Sequence, residues 1–420
     1  MRHDTADKVL VLGSDTRSFL AVIRSLGRRH LRVHVASCPP GAPALRSRYI
    51  ARVHHLPPYS ANAPAWRDAL ASLLERERFA LVIPCDDPTL WPLQLHADEL
   101  RPLARLAVLS EEAFAVTTSK RATTALARRF GVPVPQECIA FSTAETDAIV
   151  AQLGLPVVLK PDSSFGLEDL TTRRDVRTAY TRSELLALLN ELLPDGPVQA
   201  QEYFRGRGVG VEILAYEGCI LYAFQHQRVH EPPEGGGSSY RKSVPLSPEL
   251  VDAVARLMQA LHYTGVAMVE FRVDTQTGAW ILVEINGRFW GSLPLAVAAG
   301  ADFPYYLYEL LVRGRRDFAP GYREGLFARN WLKDVTWVWQ HLHATPAAPS
   351  PPIRPFRRLA TELMNVVTLR ERSDTLVLDD PRPALTEIGM VLRKRIPWAL
   401  RAVPKLWRAP ERSALHRPST

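Results

Sequence analysis

Lysine is scarce in this 420-residue chain: it stands only at positions 8, 120, 160, 242, 333, 394 and 405, and arginine supplies the rest of the 52 basic residues. With 34 prolines, this reads as compositional bias rather than as a nucleic-acid surface. Such a surface would need a local basic stripe with interleaved aromatics, which the first 310 residues lack. The net charge of +8 therefore names no partner, but a lysine inside a motif carries extra weight. Cysteine is equally sparse. Cys38, Cys85, Cys138 and Cys219 are widely spaced with no CxxC pair, which argues against a thiolate zinc site or a disulfide framework. No apolar run approaches the roughly 18 residues of a membrane-spanning helix. Met1–Lys8 lacks the apolar stretch of a secretory signal. Together these absences point to the cytoplasm. Glycine is missing where a dinucleotide fingerprint needs it, because Gly13 stands alone where GxGxxG has three, so an NAD-linked oxidoreductase is disfavoured.

What is present begins as an α/β pattern. Val9–Gly13, Leu31–Ala36 and Ala80–Pro84 read as buried parallel strands with helical segments between them, giving a small α/β domain over residues 1–112. Ligands of such sheets sit at the carboxyl ends of the strands, here Gly13–Asp15 and Cys85–Asp87. Ser14 and Asp86 could touch a substrate there or simply cap helices. A second region over 113–312 changes texture. Lys120–Phe130 is helical and stops at Gly131, and Leu155–Lys160 is a strand entering the small-residue loop Asp162–Gly166. Ser183–Leu193 reads as a helix and Val198–Phe204 as a strand. Val209–Ala215 with Cys219–Gln227 forms a hairpin, and Glu231–Ser239 is a mobile loop by composition. Pro248–Leu261 is a helix before two strands, Val266–Val273 and Ala279–Asn286, joined by Asp274–Gly278. Residues 313–420 read as a helical, basic extension, with Trp331, Trp337 and Trp339 as core candidates and Thr345–Pro355 as a linker.

The chemistry concentrates in that last hairpin. Glu284 and Asn286 share a face of their strand, with Arg288 beyond, and a tight turn sets Glu270 opposite or diagonal to Glu284. Cross-strand neighbours sit about 5 Å apart at Cβ. Carboxylates that close repel unless a cation lies between them, and a carboxamide oxygen completes an all-oxygen set suited to magnesium. A solvated sheet face is the plain alternative. Lys120 and Lys160 add point charges suited to phosphates. Gln201–Phe204 offers extended backbone and a carboxylate to an adenine edge. His54, His55, His341 and His343 lack metal-ligand context.

In order and spacing these motifs resemble the ATP-grasp superfamily, which includes biotin carboxylase, D-alanine–D-alanine ligase and the carbamoyl phosphate synthetase large subunit. The resemblance covers residues 8–310 and is strongest over 266–295 (VAMVEFRVD…WILVEINGRFWGS). Trp290–Ser292 and Ala299–Asp302 look most like carboxylate–amine ligases. The resemblance implies α/β and α+β architecture: a Rossmann-like domain, then two lobes (113–200 and 201–312) closing on ATP. It places Lys120 and Lys160 on phosphates, Glu202, Tyr203 and Phe204 at adenine, and Glu212 on ribose or phosphate. Glu270, Glu284 and Asn286 would hold magnesium (or manganese), and Arg288 would steady the transferring phosphoryl group. Arg228 and Arg241 are further candidates for the γ-phosphate or the acceptor carboxylate. A Gly235–Ser239 cover would keep water out. The implied partners are a small-molecule carboxylate and an amine; a homodimer stays open. Basic residues through Thr386–Arg408 raise contact with a membrane surface, but Pro397 and Pro404 interrupt the stretch, so a continuous interfacial helix is not expected.

Overall fold

Short aliphatic runs, apolar on both faces, build the first sheet: β1 (Lys8–Leu12), β2 (Arg32–Ala36), β3 (Ile50–Val53) and β4 (Leu81–Pro84). They run parallel in the order β3-β2-β1-β4. Val9, Val11, Val33 and Ile83 pack on Phe19, Val22 and Ile23 of the helix Arg17–Arg28. Leu10, Leu12 and Val82 pack on Leu70 and Leu74 of the helix Ala65–Glu77. Helices cover both faces, which is why these strands do not alternate with polar residues. The computed structural model describes residues 8–166, 170, 172–232, 237–343, 364–365 and 368–395. The expected linker Thr345–Pro355 lies outside them, as do residues 233–236 of the expected mobile loop and the tail beyond Arg395.

At the carboxyl edge of this sheet, Ser14 donates from its backbone N (2.8 Å) and Oγ (2.5 Å) to Asp86 Oδ2. Asp86 also caps the helix Asp87–Leu95 through Thr89 N at 3.2 Å. Asp86 is therefore engaged as a helix cap, with Ser14 as its hydrogen-bond partner.

A second, antiparallel sheet contains β5 (Glu137–Ala140), β6 (Val157–Pro161), β7 (Arg177–Ala179) and β8 (Val198–Glu202), ordered β5-β8-β6-β7. Ile149, Leu185 and Leu189 of two helices close its core. The expected strand Val198–Phe204 ends early, at Glu202, and residues 203–206 connect this sheet to the next.

The third sheet has seven strands in the order β13-β12-β9-β10-β11-β14-β15. They are β9 (Arg207–Tyr216), β10 (Cys219–His230), β11 (Tyr240–Ser243), β12 (Gly265–Val273), β13 (Trp280–Asn286), β14 (Phe327–Arg329) and β15 (Glu371–Ser373). One face packs on the helix Pro248–Ala260 through Val211, Ile213, Val269 and Phe271. Part of the other packs on the helices Leu293–Ala298 and Phe303–Arg313, and the remainder carries charged side chains.

Two corrections follow. Residues 240–243, for which the sequence pattern predicts no strand, form β11. The C-terminal region is not purely helical, because β14 and β15 extend the large sheet by two edge strands. Trp337 stacks on His230 with ring centroids 3.9 Å apart at 4°, and its Nε1 donates to Glu231 O at 2.8 Å. Trp331 is half-exposed rather than core, and the side chains of Trp339, His341 and His343 lie outside the described residues.

The C-terminal segment also returns to the first sheet. Asp380, fully buried, accepts from Arg24 Nε (2.9 Å), Ser47 Oγ (2.7 Å) and Arg48 N (2.9 Å). Removing one partner of such a pair strands a buried charge. Asp380→Ala should therefore cost about 3–5 kcal/mol in denaturant unfolding; a loss under about 1 kcal/mol, the range of an exposed pair, would contradict the assignment. His34 Nδ1 and His54 Nε2 share a hydrogen bond of 2.9 Å beside Phe79. Burial, then the His54 ring, pushes His34 down from 6.5 to about 4. The folded protein thus holds this imidazole neutral where the unfolded chain protonates it. Its contribution is complete above pH 6.5 and is lost as pH falls from 6.5 toward about 4. His34→Gln should flatten that limb of the stability–pH curve.

Candidate active site

The turn between β12 and β13 is closed by Asp274 N to Ala279 O (2.8 Å) and by Gln276 N to the Asp274 carboxylate (2.8 Å). It sets a register in which Glu270 faces Glu284 and Met268 faces Asn286. Val269, Phe271, Leu282 and Ile285 point the other way into the core, so slipping by one residue would bury the charges. The register continues across the sheet, with Glu270 opposite Gly210 and Gly210 opposite His226. Arg228 lies opposite Arg241.

Cations offset the carboxylate pair. Arg228 Nη2 donates to Glu270 Oε2 at 2.6 Å, and Asn286 Nδ2 donates to Glu284 Oε1 at 2.8 Å. Burial pushes both carboxyls up. For Glu284 the Asn286 hydrogen bond and the Lys120, Lys160 and Arg288 charges outweigh burial and hold it below its usual value. Glu270 stays raised, by burial and by Glu284, against the pull of Arg228. Lys160, near the end of β6, is buried, which lowers it to about 8 even though Glu284 pulls the other way. Lys120 opens the helix Lys120–Arg129, and its Nζ donates to Ser164 Oγ at 3.2 Å. Burial lowers this lysine as well.

Glu284, Asn286 and Lys120 border a cleft of about 600 Å³ that is open to solvent, with Phe165 and Arg173 on one wall and Asp87 and Arg288 on another. Arg288 reaches it with its guanidinium held by Asp87, Nε to Oδ1 at 3.0 Å and Nη2 to Oδ2 at 2.8 Å. The donor set suits a divalent cation: two carboxylates and a carboxamide, Glu270 buried and Glu284 and Asn286 partly exposed, with cations already compensating their repulsion. Among the described residues no third His, Cys, Asp or Glu completes a cluster. Magnesium commonly takes its remaining positions from water and phosphate oxygens.

Three expected residues sit differently. Glu202 Oε1 accepts from Gln136 N at 3.0 Å, so its carboxylate braces β8 rather than facing the cleft freely. Tyr203 and Phe204 are half-buried in the connector between the sheets. Glu212 is fully buried; its Oε1 shares a 2.5 Å hydrogen bond with His226 Nδ1 and takes Ser292 Oγ at 3.4 Å, which leaves it no open path to ribose. Burial raises Glu212 well above the usual range and lowers His226 to about 3. Arg241 is tied to Asp374 and to Gly291 O (3.3 Å), away from the Glu270–Glu284 pair. The described end of the expected cover, Ser239, is pinned by its Oγ to Asp334 at 2.6 Å.

Sequence reasoning missed Asp87 as the partner of Arg288, Arg173 on the cleft wall, and His226. The alternation Gly206–Gly208–Gly210 was a readable signal for the last. Small residues at period two on a strand make room for large neighbours. A Cβ on Gly208 would meet Arg228 Cδ at 2.5 Å, and one on Gly210 would overlap the His226 ring, with Nδ1 2.8 Å away.

Residues 197–332, which hold the whole carboxylate hairpin, match the family described as "ATP-grasp in the biosynthetic pathway with Ter operon". A D-alanine–D-alanine ligase of Albidiferax ferrireducens is 27% identical over 230 residues, covering 49% of this chain and 63% of that protein. The fold agrees with N5-carboxyaminoimidazole synthetase from Staphylococcus aureus complexed with ADP, at TM-score 0.62 and 12% identity over 87% of this chain and 98% of that one. The matched segment and the fold are those of the ATP-grasp superfamily. Its ATP-grasp fold is shared too with L-amino acid ligase from Bacillus licheniformis, at TM-score 0.57 and 16% identity over 73% and 74% of the two chains. A putative urea carboxylase of Emericella nidulans is 29% identical over 194 residues, 43% of this chain. The chain spans 15% of that carboxylase and less than two thirds of the D-alanine–D-alanine ligase.

Gly210→Ala should displace the His226 ring. The expected outcome is a destabilisation of about 1–3 kcal/mol by thermal or denaturant unfolding, with nucleotide affinity measured on the folded fraction also reduced. Full stability and unaltered binding would show that the close approach has no consequence.

Proposed function

We propose that this protein is an ATP-dependent ligase that activates a carboxylate as an acyl phosphate and joins it to an amine, releasing ADP and phosphate. One observation carries the reading: Glu270 and Glu284 are fixed opposite each other by strand register, Glu270 beside Arg228 and Glu284 within electrostatic reach of Lys120 and Lys160, and Glu284 opens with Asn286 and Lys120 onto a cleft. That is an arrangement for a polyphosphate and its metal ion. Glu270, Glu284 and Asn286 would hold magnesium or manganese, and the ion would supply charge neutralisation at the β- and γ-phosphate oxygens.

In this reading the backbone of residues 202–204 borders the adenine, while Lys120 and Lys160 steady the phosphates. The substrate carboxylate oxygen attacks the γ-phosphorus and ADP leaves. Arg228 and Arg288 offset the negative charge that builds on the transferring group. The amine then attacks the acyl carbon, phosphate departs, and the amine gives up a proton as the amide forms. Phe165 and Arg173 on the cleft wall limit the access of water to the acyl phosphate. We assign the ATP-grasp unit to residues 113–312, the preceding α/β unit to 1–112 and the extension to 313–420.

The test is phosphate release from ATP and magnesium by the purified protein, with and without pools of amino acids and small carboxylates. Release that requires both a carboxylate and an amine is the expected result. Nucleotide binding without turnover across the pools would instead favour a sensing role. Glu284→Gln should reduce turnover roughly a hundredfold or more while leaving the unfolding transition in place; full activity in that variant would remove Glu284 from the site.

A further inference from the structure

The helix Arg382–Arg395 is bound to the protein on one side only. Pro383 and Ala384 are buried near the turn Pro43–Arg46, and Glu387 accepts from Arg17 Nη2 at 2.5 Å. Its opposite side carries Leu385, Ile388 and Leu392, exposed by 60%, 42% and 54%. Their spacing of three and four residues makes one continuous stripe along the helix. By the same helical spacing Arg382 and Arg393, both exposed, border that stripe. Leu378, in the loop just before the helix, is fully exposed as well. A set of large apolar side chains along one helix, left open to water, marks an interaction surface.

Charge selects the occupant. From Arg382 to Arg408 the sequence has seven basic residues and one acidic residue, Glu387, which is turned inward onto Arg17. The outward side is therefore apolar in the middle and cationic at its border, and Trp398 and Trp407 follow in the same stretch. A second copy of this chain would set arginine against arginine. An anionic lipid surface meets both features at once: acyl chains take the leucine stripe and headgroup phosphates take the arginines. Pro397 and Pro404, which made an interfacial helix unexpected, are not part of the fourteen described residues Arg382–Arg395. No described helix is long and apolar enough to cross a bilayer, so contact would be at the surface.

We infer that the helix Arg382–Arg395 is a docking face for an anionic membrane surface, with Leu385, Ile388 and Leu392 entering the acyl boundary. The full chain should co-float with vesicles of phosphatidylglycerol and phosphatidylcholine, and far less with phosphatidylcholine alone or at high salt. Leu385→Ser, Ile388→Ser and Leu392→Ser combined should lower partitioning roughly tenfold or more. Arg393→Gln, Lys394→Gln and Arg395→Gln combined should lower it only on the anionic vesicles. Because all three apolar side chains are exposed, the first variant should keep the parent's unfolding transition, which a thermal scan checks. Failure of the parent chain to float with anionic vesicles would overturn the inference. So would equal partitioning of parent and serine variant, or a dimer seen by sedimentation that the serine variant dissolves. None of these outcomes depends on turnover.

Discussion

Two carboxylates on directly opposed cross-strand positions repel, and Glu270 and Glu284 occupy such positions by register rather than by choice of rotamer. The backbone ladder and the apolar residues on the reverse face hold them there, so the repulsion must be balanced locally. Much of the surrounding chemistry is that balance. Arg228 reaches over from β10, Asn286 donates from the same strand, and two of the chain's few lysines approach from the smaller sheet and from the helix before it. The two acids shift in opposite directions, Glu284 down and Glu270 up, as expected for neighbours sharing one field.

Space is the companion constraint. Arg228 and His226 are large residues on a strand whose neighbour would ordinarily present Cβ atoms to them, and Gly208 and Gly210 remove that obstruction. The cleft is also built from distant parts of the chain. Arg288 stands just past β13 and is oriented by Asp87 at the carboxyl edge of the first sheet, so the first unit is a wall of the site. On the far side of the large sheet, Arg329, Asp334, His230 and Ser239 form a buried polar knot that fastens the added edge strands. Arg329 also binds Glu371, which joins β14 to β15 through side chains as well as backbone.

The parts legible in the sequence were those governed by local rules. The β12–β13 turn announces itself through Asp274–Gly278, and the alternation of Glu270 and Glu284 with aliphatic residues fixes which face they share. The parallel strands of the first sheet were readable as short aliphatic runs. What escaped was set by partners far away in the chain. Nothing near Arg241 signals that Asp374 will engage it, and beside Glu212 the glycines at 208 and 210 mark room for a large neighbour without saying that His226 bonds its carboxylate. Strand β11 has no usable pattern, because Tyr240, Arg241 and Ser243 are all buried, two of them polar, and each is engaged by tertiary contacts. The edge strands β14 and β15 are three residues each, too short for a period to show.

The salt bridge between Arg24 and Asp380 has a consequence for biosynthesis. Strands β1 to β4 leave the ribosome early, yet the guanidinium buried beneath their first helix meets its counter-ion only after another three hundred or so residues have been translated. Until then Arg24 lacks both the counter-ion and the covering segment that bury it in the finished chain, a condition that holds the nascent domain short of its final stability. Completion of the amino-terminal unit is thus timed by the carboxyl-terminal segment, and a ribosome that stops short of Asp380 releases a chain whose first domain is unfinished.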